Sequence, residues 1–136
     1  MRPKKFVLDS YAVLALVGDE TGAEVVADII RDETAELFLS VLSLGEVYYI
    51  VWRRQGETTA EEVVRGVRQE EGLAITEVTW PRAKDAARIK AGGGLSYADA
   101  FVLGLARELG AFLVTGDPEF QKPAGRLNVE LVWIGR

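Results

Sequence analysis

The sequence contains neither histidine nor cysteine. Without cysteine, the chain cannot form disulfides, bind a metal through thiolates or use a cysteine nucleophile. Without histidine, it cannot build a Ser-His-Asp triad, use imidazole as a general base or bind a metal through imidazole. Any metal ion bound here must therefore be held by oxygen ligands, which favours Mg²⁺ or Mn²⁺.

Long apolar runs and a basic excess are also missing. No apolar stretch approaches the length of about 18 residues that suggests a membrane span. The basic N-terminus lacks the hydrophobic segment and cleavage site of a signal peptide, so we expect a cytoplasmic protein without membrane contact. The net charge is −5, from 21 acidic and 16 basic residues, which argues against non-specific binding of duplex nucleic acid. Several acids gathered in one metal pocket would account for most of this excess.

The remaining composition fits one globular domain over residues 1–136, because 49% of the residues are hydrophobic and can form a core of their own. Five short apolar stretches predict buried strands at residues 6–8, 37–39, 73–76, 112–115 and 131–134. Amphipathic stretches between them predict helices that begin near Ser10, Thr21, Ser43, Thr58, Pro81 and Ser96. This alternation is typical of an α/β fold around a mostly parallel sheet.

Four carboxylates lie at a strand end or in the first turn of a helix: Asp9, Glu46, Asp99 and Asp117. Each also has a purely structural interpretation. Asp9 and Asp117 can act as N-caps, while Ser43 with Glu46 and Ser96 with Asp99 read as capping boxes. Because strand C-termini and the following helix N-termini share one edge of a parallel sheet, we expect all four side chains to converge there.

In chain order and local context, these acids resemble the set found in the PIN-domain family of ribonucleases, and within it the VapC-like toxins of VapBC-type toxin–antitoxin pairs. Any one motif is weak, but the ordered set spans nearly the whole chain. The resemblance rests on Phe6-Val7-Leu8-Asp9-Ser10, Leu44-Gly45-Glu46-Val47, Leu95-Ser96-Tyr97-Ala98-Asp99-Ala100 and Leu113-Val114-Thr115-Gly116-Asp117-Pro118-Glu119-Phe120.

The resemblance implies a three-layer sandwich with a mostly parallel five-stranded sheet in the order 3-2-1-4-5. It also implies metal-dependent hydrolysis of RNA, with Mg²⁺ or Mn²⁺ making an attacking water more acidic. It assigns catalysis to Asp9, Glu46, Asp99 and Asp117. We expect Asp9 to be the central metal ligand, Asp99 and Asp117 to be further ligands, and Glu46 to orient the water.

Three further residues are expected to support these acids. The hydroxyls of Ser10 and Thr115 can orient ligands or water. Glu119 stands where some PIN-domain proteins carry a further acid, so it is either a peripheral metal ligand or an ordinary glutamate at a helix start.

The resemblance to toxin subunits implies three partners: an RNA substrate, a cognate antitoxin and a second copy of the chain in a homodimer. An antitoxin segment would lie in a groove beside the acids, with a basic side chain reaching them. Tyr49 and Ile50 lie off the apolar stripe of their helix and are candidates for this surface, unless they complete the core of a monomer. Trp52 lies on the stripe and is expected in the core. Five basic side chains are candidates for guiding phosphates: Arg53, Arg54, Lys84, Arg88 and Lys90.

Three other functions compete with the nuclease. A receiver-like phospho-signalling module also gathers acids at strand ends, but it would need a lysine at the end of a late strand. A phosphatase with an Asp nucleophile would need a second acid two residues after Asp9, where this chain has Tyr11. A catalytically silent PIN scaffold would bind RNA or a partner without cleaving it.

Overall fold

Helices cover both faces of a parallel sheet. A computed structural model describes residues 2–136, and five strands lie in this range: β1 (Lys5–Leu8), β2 (Glu36–Ser40), β3 (Leu73–Thr76), β4 (Phe112–Thr115) and β5 (Leu131–Trp133). Their order in the sheet is β3-β2-β1-β4-β5, and all four neighbouring pairs are parallel. The predicted α/β class and strand order are therefore confirmed, and the sheet is parallel throughout.

Within the same residues, the seven helices are α1 (Ser10–Val17), α2 (Ala23–Arg31), α3 (Val41–Gln55), α4 (Glu57–Gln69), α5 (Trp80–Ala91), α6 (Tyr97–Leu109) and α7 (Gln121–Arg126). None of the helices described is both long and apolar enough to cross a membrane. Gly56 ends α3 and begins α4 with a φ of 91°, a conformation that favours glycine.

The strands are apolar on both sides because each side of the sheet is buried under helices. Phe6 and Leu8 of β1 pack into a core with residues of α1 to α4. Val7, which lies between them, packs with residues of α6 and α7 on the opposite side. This alternation follows from the two-residue period of a strand and gives the three layers that were predicted.

The buried stripe of α3 does not include Trp52. Leu44, Val47 and Val51 are buried and pack into the core beneath α1 to α4. Trp52, the residue after Val51, is 44% exposed, and its ring meets that of Tyr48 edge-on with 5.6 Å between the ring centroids. The prediction that Trp52 lies in the core is wrong because this side chain stands at the edge of the buried stripe.

The segment after β4 is more helical than its sequence suggests. A 3₁₀ turn at Pro118–Phe120 leads directly into α7, where the sequence predicts only a turn. This helix contains Pro123 and Gly125, two poor helix formers, and it forms because Phe120 and Ala124 are buried in the second core.

Candidate active site

Asp9 links the first strand, the first helix and the fourth strand. It follows β1 and caps α1, because its Oδ1 accepts a hydrogen bond of 2.8 Å from the Ala12 amide. Its Oδ2 accepts a hydrogen bond of 2.5 Å from the hydroxyl of Thr115 at the end of β4. The side chain is only 3% exposed. The N-cap prediction is thus confirmed, and the same carboxylate also ties two adjacent strand ends together.

The loop after β4 continues this hydrogen-bond network. The buried Thr115 hydroxyl accepts a hydrogen bond of 3.1 Å from the Asp117 amide. Asp117 in turn caps the 3₁₀ turn, and its Oδ1 accepts a hydrogen bond of 3.0 Å from the Glu119 amide. Residues 115–119 therefore form a tight loop in which two carboxylates two positions apart lie beside the strand end.

Asp99 reaches the cluster from a helix N-terminus, as predicted. Ser96 caps α6, and its hydroxyl accepts a hydrogen bond of 3.1 Å from the Asp99 amide. The Asp99 side chain is half-buried, so it faces inward from the first turn of α6. The helix N-terminus carries partial positive charge, which stabilises an ionised carboxylate there.

The pKa values of Asp9 and Asp99 reflect both their burial and the acids around them. Burial raises the pKa of Asp9 to about 7; the hydrogen bonds from Thr115 and Ala12 lower it, and the charges of Asp99 and Asp117 raise it. Burial also raises the pKa of Asp99, with further increases from Asp117 and Glu119 and a decrease from the Ser96 hydrogen bond. Like charges raise each other's pKa in this way only at short range.

Glu46 joins the cluster from α3. Burial raises its pKa, the charge of Asp99 raises it further, and a hydrogen bond from Ser10 lowers it. The structure thus brings all four predicted acids to the C-terminal edge of the sheet, with both predicted hydroxyl groups beside them. Their catalytic and metal-binding roles remain predictions.

Oxygen ligands for a metal ion are available in this cluster. Asp99, Asp117 and Glu119 each offer a carboxylate oxygen, and these oxygens lie within 4.8 Å of one another. Such a set suits Mg²⁺ or Mn²⁺, because a bound cation would offset the repulsion among the charges. Glu119, which the sequence placed only at the periphery, therefore belongs to the most compact group of acids.

The family model of the PIN domain matches residues 6–126, a range that covers most of the chain and includes the four predicted acids. The chain belongs to the PIN-domain family. No curated protein sequence matches it.

Solved structures share this PIN fold at low sequence identity. VapBC-5 from Mycobacterium tuberculosis, a member of the VapBC family of toxin–antitoxin systems, is 18% identical with a TM-score of 0.69, covering 97% of this chain and 100% of that chain. DNA-bound VapBC from Salmonella typhimurium is 18% identical with a TM-score of 0.70, and the match covers 94% of this chain and 96% of that chain. VapC20 from Mycobacterium tuberculosis, a Sarcin-Ricin loop cleaving toxin, is 20% identical with a TM-score of 0.68, and the match covers 85% of this chain and 92% of that chain.

The strand order of this PIN domain also argues against the receiver-like alternative. Receiver modules have the order 2-1-3-4-5, whereas this sheet has the order β3-β2-β1-β4-β5. In the PIN domain, β1 lies at the centre of the sheet, so Asp9 stands between the ends of β2 and β4.

The predicted start of the third helix is wrong, and this changes the interpretation of Glu46. The strand β2 runs directly into α3, which begins at Val41 with Ser40 as its N-cap; the Ser40 hydroxyl accepts a hydrogen bond from the Leu42 amide. Ser43 therefore lies inside the helix, and the proposed capping box between Ser43 and Glu46 does not form. The boundary between β2 and α3 is not evident from the sequence, because the apolar side chains of Val41 and Leu42 continue the pattern of the strand.

Ser43 is fully buried, and its hydroxyl has no hydrogen-bond partner among the described residues. An unpaired buried hydroxyl is destabilising. We expect Ser43→Ala to raise the free energy of unfolding by on the order of 1 kcal/mol, measured by urea denaturation. A clear loss of stability would instead indicate that the hydroxyl has a buried partner, such as an ordered water.

Two glycines position the loop that carries Asp117, through contacts that cannot be predicted from the sequence. A Cβ atom on Gly116 would lie 2.4 Å from Cε1 of Tyr11, and one on Gly135 would lie 2.7 Å from the carbonyl oxygen of Gly116. The Tyr11 ring and the chain at Gly135 thus both pack directly against the backbone between Thr115 and Asp117. The Thr-Gly-Asp motif pointed to Gly116, but the contact with Tyr11 depends on the fold.

Proposed function

We propose that this PIN domain is an endoribonuclease that depends on a divalent metal ion, and that it is the toxin of a toxin–antitoxin pair. The observation that carries the proposal is the crowding of carboxylates at one sheet edge in a chain without histidine or cysteine. Crowded carboxylates, three of which (Asp9, Glu46 and Asp99) have a raised pKa, are unfavourable for stability alone and are typical of functional sites. The toxin assignment draws support from the VapBC and VapC structures of the same fold.

The residues proposed to hold the metal are Asp9, Asp99, Asp117 and Glu119. When bound, Mg²⁺ or Mn²⁺ would acidify a water for attack on the phosphodiester and stabilise charge on the leaving oxygen. The protein itself fixes the ligands: Thr115 orients Asp9 and the Asp117 amide, and the α6 N-terminus presents Asp99. These hydrogen bonds hold the negative charges in place before substrate arrives.

Glu46 is proposed to act on the attacking water rather than on the metal. It lies beside Asp99 and Ser10, and burial raises its pKa. A carboxylate whose pKa lies above its ordinary value is a stronger proton acceptor than an exposed glutamate. The Ser10 hydroxyl can hold the Glu46 carboxylate in one orientation by its hydrogen bond.

Metal dependence is tested with a fluorescently labelled single-stranded RNA. We expect cleavage by the purified protein in Mg²⁺ or Mn²⁺ and none in excess EDTA, because without a metal ion the proposed carboxylates cannot activate the attacking water. Glu119→Gln should reduce the rate, whereas Glu33→Gln, which removes an exposed acid outside the site, should not. Undiminished cleavage in EDTA would rule out the metal-dependent mechanism, and RNA binding without cleavage in any divalent ion would favour the silent scaffold.

An apolar groove on the side of the domain covered by α1, α2 and α4 is a second candidate surface for the antitoxin, besides the groove next to the acids that was predicted from the sequence. Neither the four acids nor Tyr49 and Ile50 line this second groove. Leu16, Val17, Ile30, Val63 and Val67 are among the residues that line this groove of about 290 Å³. An amphipathic helix of the partner could place its apolar face there. Of the two residues proposed from the sequence, Tyr49 is 47% exposed and lies under the Arg53 guanidinium at 5.3 Å, while Ile50 is half-buried.

Expression of the chain alone tests the toxin proposal. We expect growth to slow because the uninhibited nuclease would cut cellular RNA, and we expect co-expression of the adjacent antitoxin gene or the Asp9→Asn substitution to restore it. Normal growth with abundant, folded wild-type protein would contradict the toxin assignment. The proposed homodimer is tested separately by light scattering of the purified protein.

A further inference from the structure

A groove of about 820 Å³ begins beside the acidic cluster and follows α1. Its wall includes Gly116 and Pro118, the two neighbours of Asp117, and it includes Tyr11, Leu14 and Ala15. These last three residues have the i, i+3, i+4 spacing of a single helix face. The groove therefore runs from the first turn of α1, next to Asp9, along a helix about 12 Å long.

The remaining wall combines aromatic rings with guanidinium groups. Trp133, Arg54 and Arg136 line the groove, and both arginines are exposed. Neither forms a salt bridge with another described residue, whereas Arg82 and Arg107 are held by Glu108 and Asp85. These two guanidinium groups beside the acidic cluster are therefore available to an anionic ligand.

The aromatic wall is physically connected to the acid-bearing loop. The Tyr11 ring packs on Gly116, and a Cβ atom on Gly135 would lie 2.9 Å from Cζ2 of Trp133. Tyr11 and Trp133 thus lie close to the stretch of backbone that positions Asp117. A ligand lying against these rings would be positioned directly relative to the acids.

We propose that this groove binds the single-stranded RNA segment adjacent to the scissile phosphate; this inference rests on the nuclease function proposed above. Aromatic side chains stack on unpaired bases, and arginines contact phosphates or stack on bases. Tyr11 and Trp133 supply the stacking surfaces, and Arg54 and Arg136 supply the cations. A base-paired strand cannot present its bases to these rings, so the groove selects single-stranded substrate.

The far end of the groove has a different chemistry. Asp19, Glu20 and Thr21 line it beyond the C-terminal end of α1. Carboxylates repel phosphates but accept hydrogen bonds from the amino groups of bases. The groove therefore attracts phosphates through its arginines while its far end favours base edges, which gives a bound strand a preferred position.

Binding is measured in the full-length Asp9→Asn protein, so that RNA stays intact. Anisotropy of a labelled unstructured RNA is recorded over a range of salt concentrations, with the duplex form of the same RNA as a comparison. We expect Arg54→Ala and Arg136→Ala each to lower the slope of log K against log salt by about 0.7. Tyr11→Leu should weaken binding about tenfold, while Tyr11→Phe, which keeps the ring, should bind nearly as before. Arg65→Ala, which removes an exposed arginine on α4 outside the groove, is the matched control.

Tryptophan fluorescence gives a second readout. RNA binding should quench the fluorescence of Trp133, and the quenching should disappear in Trp133→Phe although Trp52 and Trp80 remain.

In the cleaving wild-type background, the arginine variants should raise KM more than they lower kcat. Wild-type-like RNA affinity in all the groove variants would overturn this inference, even if wild-type protein cleaves RNA. An equal loss of RNA affinity in Arg65→Ala would also overturn it, as would groove variants that lose only antitoxin binding. Groove-dependent RNA binding without any wild-type cleavage would instead contradict the nuclease proposal and leave the groove assignment standing.

Discussion

Asp9→Asn should reduce RNA cleavage by on the order of 10³-fold while leaving the protein folded. Asparagine can keep both local contacts: its amide oxygen can accept the hydrogen bond from Ala12, and its amide nitrogen can donate to Thr115. The substitution therefore removes charge from the centre of the cluster and changes little else. A bound cation loses a negatively charged ligand, and that loss affects the transition state most, where charge develops.

Initial cleavage rates in saturating Mn²⁺ test this expectation, with circular dichroism to verify folding. Glu33→Gln serves as the control, because it converts a surface carboxylate to an amide at an exposed position. A folded Asp9→Asn protein with more than about a tenth of the wild-type rate, a loss smaller than one catalytic group normally causes, would remove Asp9 from the proposed metal centre.

The metal-free protein should lose stability as pH rises from about 4 to about 7. The pKa of Asp9 is 3.8 in its ordinary state and about 7 in the folded protein, so over this range the unfolded chain binds fewer protons than the folded chain. Stability is therefore highest below the lower pKa and falls as Asp9 ionises in the fold. The full effect is on the order of 4 kcal/mol. The raised pKa values of Asp99 and Glu46 act in the same direction.

Thermal unfolding in EDTA at a series of pH values measures this effect, and the difference between wild type and Asp9→Asn isolates the contribution of Asp9. At pH 7 the variant should be the more stable protein, and at pH 4 the two should converge. Added Mn²⁺ should stabilise wild type far more than the variant. A wild-type protein that gains stability over Asp9→Asn as pH rises in EDTA would show that Asp9 is not held in an unfavourable charged state.

Most of the fold and the main acids could be predicted because their signals are local. Buried parallel strands are short and apolar, and the N-cap of α6 is encoded within the four residues from Ser96 to Asp99. The acids also converge by a simple rule, since strand ends and the following helix starts share an edge of the sheet. The start of α3 could not be read in this way, because Val41 and Leu42 fit a strand or a helix equally well.

The parts that could not be predicted depend on tertiary packing. Glu119 belongs to the compact group of acids because the 3₁₀ turn folds its carboxylate towards Asp99, which lies 20 residues earlier in the chain. The position of Tyr11 against Gly116 likewise depends on two strands being neighbours. The exposure of Trp52 could not be predicted, because its spacing along α3 fits the edge of a buried stripe as well as its centre.

Anomalous diffraction from crystals grown with Mn²⁺ would show whether these carboxylates bind a divalent cation. We predict an anomalous peak among Asp9, Asp99, Asp117 and Glu119, and no peak there in crystals of Asp99→Asn grown in the same way. A protein that cleaves RNA in Mn²⁺ but shows no peak at these residues, or shows its peak elsewhere on the chain, would mean that these carboxylates are not the metal centre.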